Sequence, residues 1–209
     1  MVAAMIPGPH TAGLDLALAV AMGVGLAAAV GFRVFVPMLV LSVSACVGHL
    51  PLASGLAWLA TPAALVMLSV AAAVETIAYY IPGVDNALDV IAGPAALVAG
   101  TVVSAAVMTD VPPMVRWTAA VIAGGGSAGI IQGLTTLLRA KSTMMTAGIG
   151  NHVLATGELA GALILSLLAL VAPLAAVTIA VLFSWFAVRL LRRLFRKERS
   201  PAGSSTERS

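Results

Sequence analysis

Long stretches of this chain carry no Asp, Glu, Lys or Arg: Val34 to Val74, Val90 to Thr109, Trp117 to Leu138 and Leu159 to Val188. An apolar, uncharged run of about 18 residues is long enough to cross a bilayer core as helix. Lipid offers the backbone no hydrogen-bonding partner, so only helices and closed barrels satisfy every N–H and C=O there. A barrel would show alternating segments of about ten residues, and none is present. Only 9% of the residues are charged against 61% hydrophobic, where a soluble domain carries about 25% charged. The pattern predicts an all-α, polytopic transmembrane helical bundle.

Residues 1–13, with Pro7, Gly8 and Pro9 and no Lys or Arg, read as a short uncleaved leader. Residues 14–197 form the transmembrane helical domain, and 198–209 a disordered polar tail. The spans are placed at about Leu14 to Val30, from the Arg33–Pro37 region to Gly48, Trp58 to Ile81, Asp85 to Met108, Met114 to Leu138, Asn151 to Val171, and Pro173 to Leu191. That makes about seven, or six if Gly31-Phe32-Arg33 and Pro37 interrupt one broken helix rather than separate two. Pro82-Gly83 breaks the chain after the third span, Asp85 or Asn86 caps the fourth, and Pro94 kinks it. Gly125, Gly129 and Gly133 fall on one helical face, as do Gly157 and Gly161, and small residues at four-residue spacing let helices approach closely. Gly124-Gly125-Gly126 is followed by no Gly-Lys-Ser/Thr, so it is no phosphate loop. Cys46, alone in an apolar run, reads as a small buried hydrophobe.

The basic excess lies in Arg189, Arg192, Arg193, Arg196, Lys197 and Arg199, directly after the last span. Such a block marks the cytoplasmic side of a bacterial inner membrane and attracts anionic lipid; nucleic acid is not the expected partner. Counted back through seven spans, Arg33, Arg139 and Lys141 also fall inside, and only Arg116 falls outside. The N-terminus is then outside and the C-terminus cytoplasmic.

Against this background the stretch from Glu75 to Asp89 stands out, with three acids, two tyrosines and a Pro-Gly break between apolar runs. Glu75 would lie about 9 Å from the inner end of its span at about 1.5 Å per residue, and Glu158 at a similar depth. Arg33, Asp85, Asp89 and His152 belong to the same leaflet, and Asn86 and Tyr79 lie beside these acids in the sequence. An ion at the bilayer centre costs about 2.5–3.5 kcal/mol or more, so such groups pair, face a bundle interior or line a wet cavity. In the functional reading, Glu75 and Glu158 bind a cation or relay a proton, Arg33 is their counter-charge, and Asp85, Asp89, Asn86 and Tyr79 complete the site. In the bland reading Arg33 forms a structural pair with a glutamate, Asp85 and Asp89 cap helices, and His152 is interfacial. The two glutamates also hint at an inverted repeat of three spans each, with poor residue-level similarity.

Gly31-Phe-Arg-Val-Phe-Val-Pro37, Glu75-Thr-Ile-Ala-Tyr-Tyr-Ile-Pro-Gly-Val-Asp-Asn86 and Ala123-Gly-Gly-Gly-Ser-Ala-Gly129 resemble a bacterial membrane family known as domain of unknown function 4126. The likeness covers about Leu16 to Pro173. Members of that family often carry Trp where this chain has Gly83. The resemblance implies a multi-pass inner-membrane protein and supplies no activity.

Two function classes follow. One is a small channel or transporter for a cation, proton or small solute. The other is a non-catalytic module that binds a lipid or protein partner, with small-residue faces suited to a homo-oligomer. An enzyme is not expected, because no Gly-x-Ser-x-Gly, His-Glu-x-x-His or paired-Asp signature occurs. No motif calls for a cofactor or a metal.

Overall fold

The computed structural model describes residues 9–81, 83–146 and 149–198, leaving aside the side chains of residues 9–12, 86, 149 and 194–198. The remainder of the leader and the tail expected over 198–209, apart from the backbone of Glu198, lie outside the described residues. Every regular element described is helical: α1 (Pro9–Val30), α2 (Phe35–Cys46), α3 (Pro62–Ala78), α4 (Val84–Val107), α5 (Pro113–Ala119), α6 (Gly126–Thr146), α7 (Ile149–Val171) and α8 (Pro173–Glu198). A π-helical stretch, Ala120–Gly125, joins α5 and α6 into one helix spanning Pro113–Thr146. Five helices among the described residues are long and apolar enough to cross a membrane, and α2 and α3 are shorter apolar helices.

Side-chain and backbone contacts fix the run of the chain. Glu75, near the end of α3, bonds the amides that open α2, while Ser42 Oγ, late in α2, donates to Leu59 O before α3 begins. These two helices therefore form an antiparallel pair. The Ala53 amide donates to Ala106 O at 2.8 Å, which places the loop after α2 beside the far end of α4. Asn151 bonds Asp85, which sets the start of α7 beside the start of α4. Successive long helices thus alternate in direction, and Arg33, Tyr79, Asp89, Arg139 and Glu158 all fall toward one end, the end where α8 finishes. The α1–α2 junction is a tight turn, with Phe32 N and Arg33 N both donating to Ala29 O.

α2 has 12 residues, about 18 Å of helix against a core of about 30 Å. The distance is made up by residues 47–61, which carry only a short 3-10 turn at Ala57–Ala60. Ala53, Leu56 and Leu59 in this segment are buried against the bundle. Irregular backbone at membrane depth is tolerated when it is covered by protein. α3 then starts cleanly, with Pro62 in its first turn and the Thr61 hydroxyl accepting from Ala64 N at 3.2 Å.

The packing is that of a membrane protein. α1 lies at the centre, against α4, α6, α7 and α8, with Leu26 to Val30 wholly buried. Val66, Met67, Val70, Val74 and Ile77 form an exposed apolar stripe along α3, and α8 exposes Ile179, Leu182, Trp185 and Phe186. An apolar face turned outward in this way is what a lipid-facing helix presents.

Close helix approach centres on α4. A β-carbon built on Gly124 would lie 2.4 Å from Ser104 Cβ, on Gly125 2.7 Å from Thr101 Oγ1, and on Gly129 2.6 Å from Leu97 Cδ2. Gly100, Gly23 and Gly31 are equally tight, meeting Ala128, Ser104 and Ile131 at 2.5–2.6 Å. Gly161 touches the Phe32 ring at an ordinary 3.8 Å. At Gly133 and Gly157 such a carbon would meet nothing within 4 Å, so the close contacts of these two glycine faces lie at their other members. Cys46 also departs from expectation: it is exposed, because it sits at the last turn of α2, where its thiol donates to Ala60 O.

Candidate functional site

The end of α1 delivers Arg33 into the bundle, the end of α3 delivers Glu75 and Tyr79, and the first turns of α4 deliver Asp85 and Asp89. Glu158 sits nine residues past the start of α7, about 14 Å in at about 1.5 Å per residue. The remaining member is Arg139. The helix expected to close at Leu138 continues to Thr146, so Arg139 and Lys141 are buried helical residues rather than loop residues.

Arg139 and Arg33 are the two largest fully buried side chains, 2% and 1% exposed. Arg139 Nη2 donates to Glu158 Oε2, and Arg139 Nε lies 3.4 Å from Asp89 Oδ2. Arg33 Nη2 lies 3.7 Å from the same Glu158 oxygen and donates to Ala155 O at 3.0 Å. Both guanidiniums also lie over the Tyr79 ring, Arg33 at 3.7 Å and Arg139 at 4.4 Å from its centroid. The ring's negative face favours a cation there, more strongly when water is excluded. The Tyr79 hydroxyl donates to Asp89 Oδ1 at 3.3 Å. Two arginines, two carboxylates and one tyrosine therefore form a closed polar layer. Taking such charges out of water costs several kcal/mol per ion, which only close pairing and further hydrogen bonds offset.

Glu75 stands beside this layer with a different task. Its Oε1 accepts from Val34 N at 2.7 Å and its Oε2 from Phe35 N at 3.0 Å. These amides open α2 and have no partner within that helix. A carboxylate there is favoured by the bonds and by the helix dipole. Asp85 is likewise bound: Oδ1 accepts from Gly83 N at 3.0 Å and Oδ2 from Asn151 Nδ2 at 2.9 Å. Gly83, at φ +89° and so in the region glycine favours, is the residue that caps α4, with Asp85 reaching back to it from the first turn. The Asn86 side chain lies outside the described residues. His152 is exposed, its ring 6.1 Å from that of Tyr80.

The residues named from the sequence thus fall into two groups. Arg33, Tyr79, Asp89 and Glu158 share the layer; Glu75 and Asp85 serve backbone amides at its border. Arg139 and Asn151 are the members that sequence reasoning missed. A signal for Arg139 existed: Ala128, Ile131, Gln132, Thr135 and Arg139, all buried, fall at i, i+3, i+4, i+7 and i+11, the pattern of one inward helical face. Among the described residues no group of three or more His, Cys, Asp or Glu is placed to hold a metal ion.

The profile of a family described as a domain of unknown function (DUF4126) matches residues 20–193, which includes every residue of the layer. No curated protein and no solved structure matches the chain.

Proposed function

The chain belongs to the family described as domain of unknown function DUF4126, and on that premise we propose that it is a small membrane channel or transporter. In this reading the transported species, a cation, a proton or a small solute, binds at or is relayed by the buried polar layer. One observation carries it: Arg33, Tyr79, Asp89, Arg139 and Glu158, drawn from five different helices or their ends, meet in one layer. Charges at membrane depth are costly and are characteristically kept where an ion or solute path needs them. The positive-inside rule puts the layer, with Lys141 and the basic end of α8, on the cytoplasmic side of a bacterial inner membrane.

A second reading has its own support. Glu75 engages both oxygens with backbone amides, as a structural carboxylate would. In that view the protein is a non-catalytic module for a lipid or protein partner, with Arg189, Arg192 and Arg193 drawing anionic lipid. Gly133 and Gly157, open to their surroundings, would serve contacts with a second copy. Neither reading includes a catalytic step.

Proteoliposomes decide between them. Protein reconstituted with an internal pH-sensitive dye is exposed to gradients of sodium, potassium, inorganic phosphate and succinate. The transport reading expects ion or proton flux in the wild type that is lost in Glu158→Gln with the fold retained. Folded wild-type protein that passes none of them contradicts transport and favours the binding module.

A further inference from the structure

Among the five residues of the layer the buried polar atoms left over are all donors, while at its border Asn151 Oδ1 is a buried acceptor that finds no donor among the described residues. Nε and Nη1 of both Arg33 and Arg139 are buried and find no hydrogen-bond acceptor among the described residues. The 3.4 Å approach of Arg139 Nε to Asp89 is an ion pair without hydrogen-bond alignment. All four atoms are donors. A buried donor without a partner costs about 1–3 kcal/mol, so the layer is short of acceptors. A site built for a cation would be short of donors instead. The two guanidiniums, moreover, converge on a single oxygen, Glu158 Oε2. Paired guanidiniums converging on one carboxylate are the arrangement by which proteins recognise oxyanions, through forked, charge-assisted bonds.

We propose that Arg33 and Arg139 form a site for a small oxyanion, a carboxylate or phosphate group, that the Glu158 carboxylate occupies in this structure, and that the ligand enters together with one proton taken up by the displaced carboxyl. This rests on reading the layer as a ligand site. The proton follows from charge balance. Glu75 is matched to the amino end of α2, and Asp85 and Lys141 are engaged outside the layer's own ion pairs, which leaves Arg33 and Arg139 facing Asp89 and Glu158, two charges against two. A further anion would leave an uncompensated charge in a low-dielectric layer. The charged or titratable groups around Glu158 are Arg33 at the α1–α2 junction, Glu75 and Tyr79 from α3, Asp89 with Asp85 one turn before it from α4, and Arg139 with Lys141 from α6. Both guanidiniums are closed off from solvent, so ligand entry requires the layer to open and the Glu158 carboxyl to move off them.

Binding is tested on full-length protein in detergent, stripped of lipid, by thermal shift with inorganic phosphate and with succinate. Proton uptake is followed with an indicator dye in weak buffer. The proposal expects saturable stabilisation of the wild type with about one proton taken up for each singly charged oxyanion group seated between the guanidiniums. Glu158→Gln removes the negative charge of the internal occupant, keeping only its weaker amide oxygen, and leaves a net positive layer, so it binds at least about tenfold tighter, a factor corresponding to about 1.4 kcal/mol, and takes up no proton. A residue that merely held the bundle together would not give that gain. Arg139→Gln loses binding; should it fail to fold, the Glu158→Gln result still decides. If the natural occupant is a lipid phosphate, phosphatidylglycerol stabilises the stripped protein, phosphatidylcholine does so less, and inorganic phosphate competes. Absence of any oxyanion or phosphatidylglycerol effect in both wild type and Glu158→Gln overturns the proposal, as does unchanged affinity in the variant. Binding without flux keeps this site and refutes transport, whereas sodium, potassium or proton flux without oxyanion binding does the reverse.

Discussion

Glu75 illustrates how a charge at membrane depth acquires a structural role. The turn at Arg33 frees the first amides of α2, and a helix start in the interior has no water to satisfy them. The carboxylate at the far end of α3 meets two of them, at 2.7 and 3.0 Å. Glu75→Ala leaves both unpaired and should cost about 1–3 kcal/mol for each orphaned donor. Glu75→Gln keeps one acceptor and should fall roughly midway between that variant and the wild type. Thermal unfolding in detergent reads the difference; equal stability of Ala and wild type would mean that the cap carries no weight. Glu158 differs from Glu75 in its partners: its contacts are to side chains, Arg33 and Arg139, rather than to backbone amides, so it is the carboxylate that the oxyanion proposal takes as exchangeable.

The helices themselves are held by small residues placed where backbones nearly touch. The π-helical stretch Ala120–Gly125 brings Gly124 against Gly100 and Ser104 of α4, and π-bulges of this kind often sit where a helix must re-aim its faces. Gly124→Ala would set its new carbon 2.8 Å from the Gly100 carbonyl, a backbone atom that cannot swing aside, and should cost about 1–3 kcal/mol as overpacking does. Gly133→Ala meets open space and should be neutral or gain up to about 1 kcal/mol in helix propensity. Comparing the two variants by unfolding midpoint checks this, and an equal loss in both would show that the close contacts lie elsewhere. The sequence spacing marked Gly125, Gly129 and Gly133 alike and did not single out Gly124, although Gly125 and Gly129 are tightly packed and Gly133 is open, because four-residue periodicity names a face without naming which helix covers it. The break between α3 and α4 at Gly83 could be read directly, while the shortness of α2 could not: an apolar run has the same composition whether it spans, turns back or lies buried in a loop.

Across the whole molecule, the all-helical bundle and the gathering of the acids at one end were legible because charge is so scarce here that each ionisable residue reports its depth. Arg139 reads as an interface residue in the sequence, since an arginine at the end of an apolar run ordinarily marks the water interface; the helical period it shares with Gln132 and Thr135 points inward, and its distant partners, Asp89 and Glu158, hold it there. A buried ion pair can be replaced by apolar residues of similar volume with little loss of stability, or with some gain. If Arg139 and Glu158 serve only the fold, the double variant Arg139→Met/Glu158→Met should be folded and behave as the wild type does. The measurement to make is therefore proton or ion flux in proteoliposomes for this double variant beside the wild type, with folding checked by gel filtration and unfolding midpoint. Flux in the wild type and none in a folded double variant is the expected result. Equal flux in both would contradict a transport role for the layer.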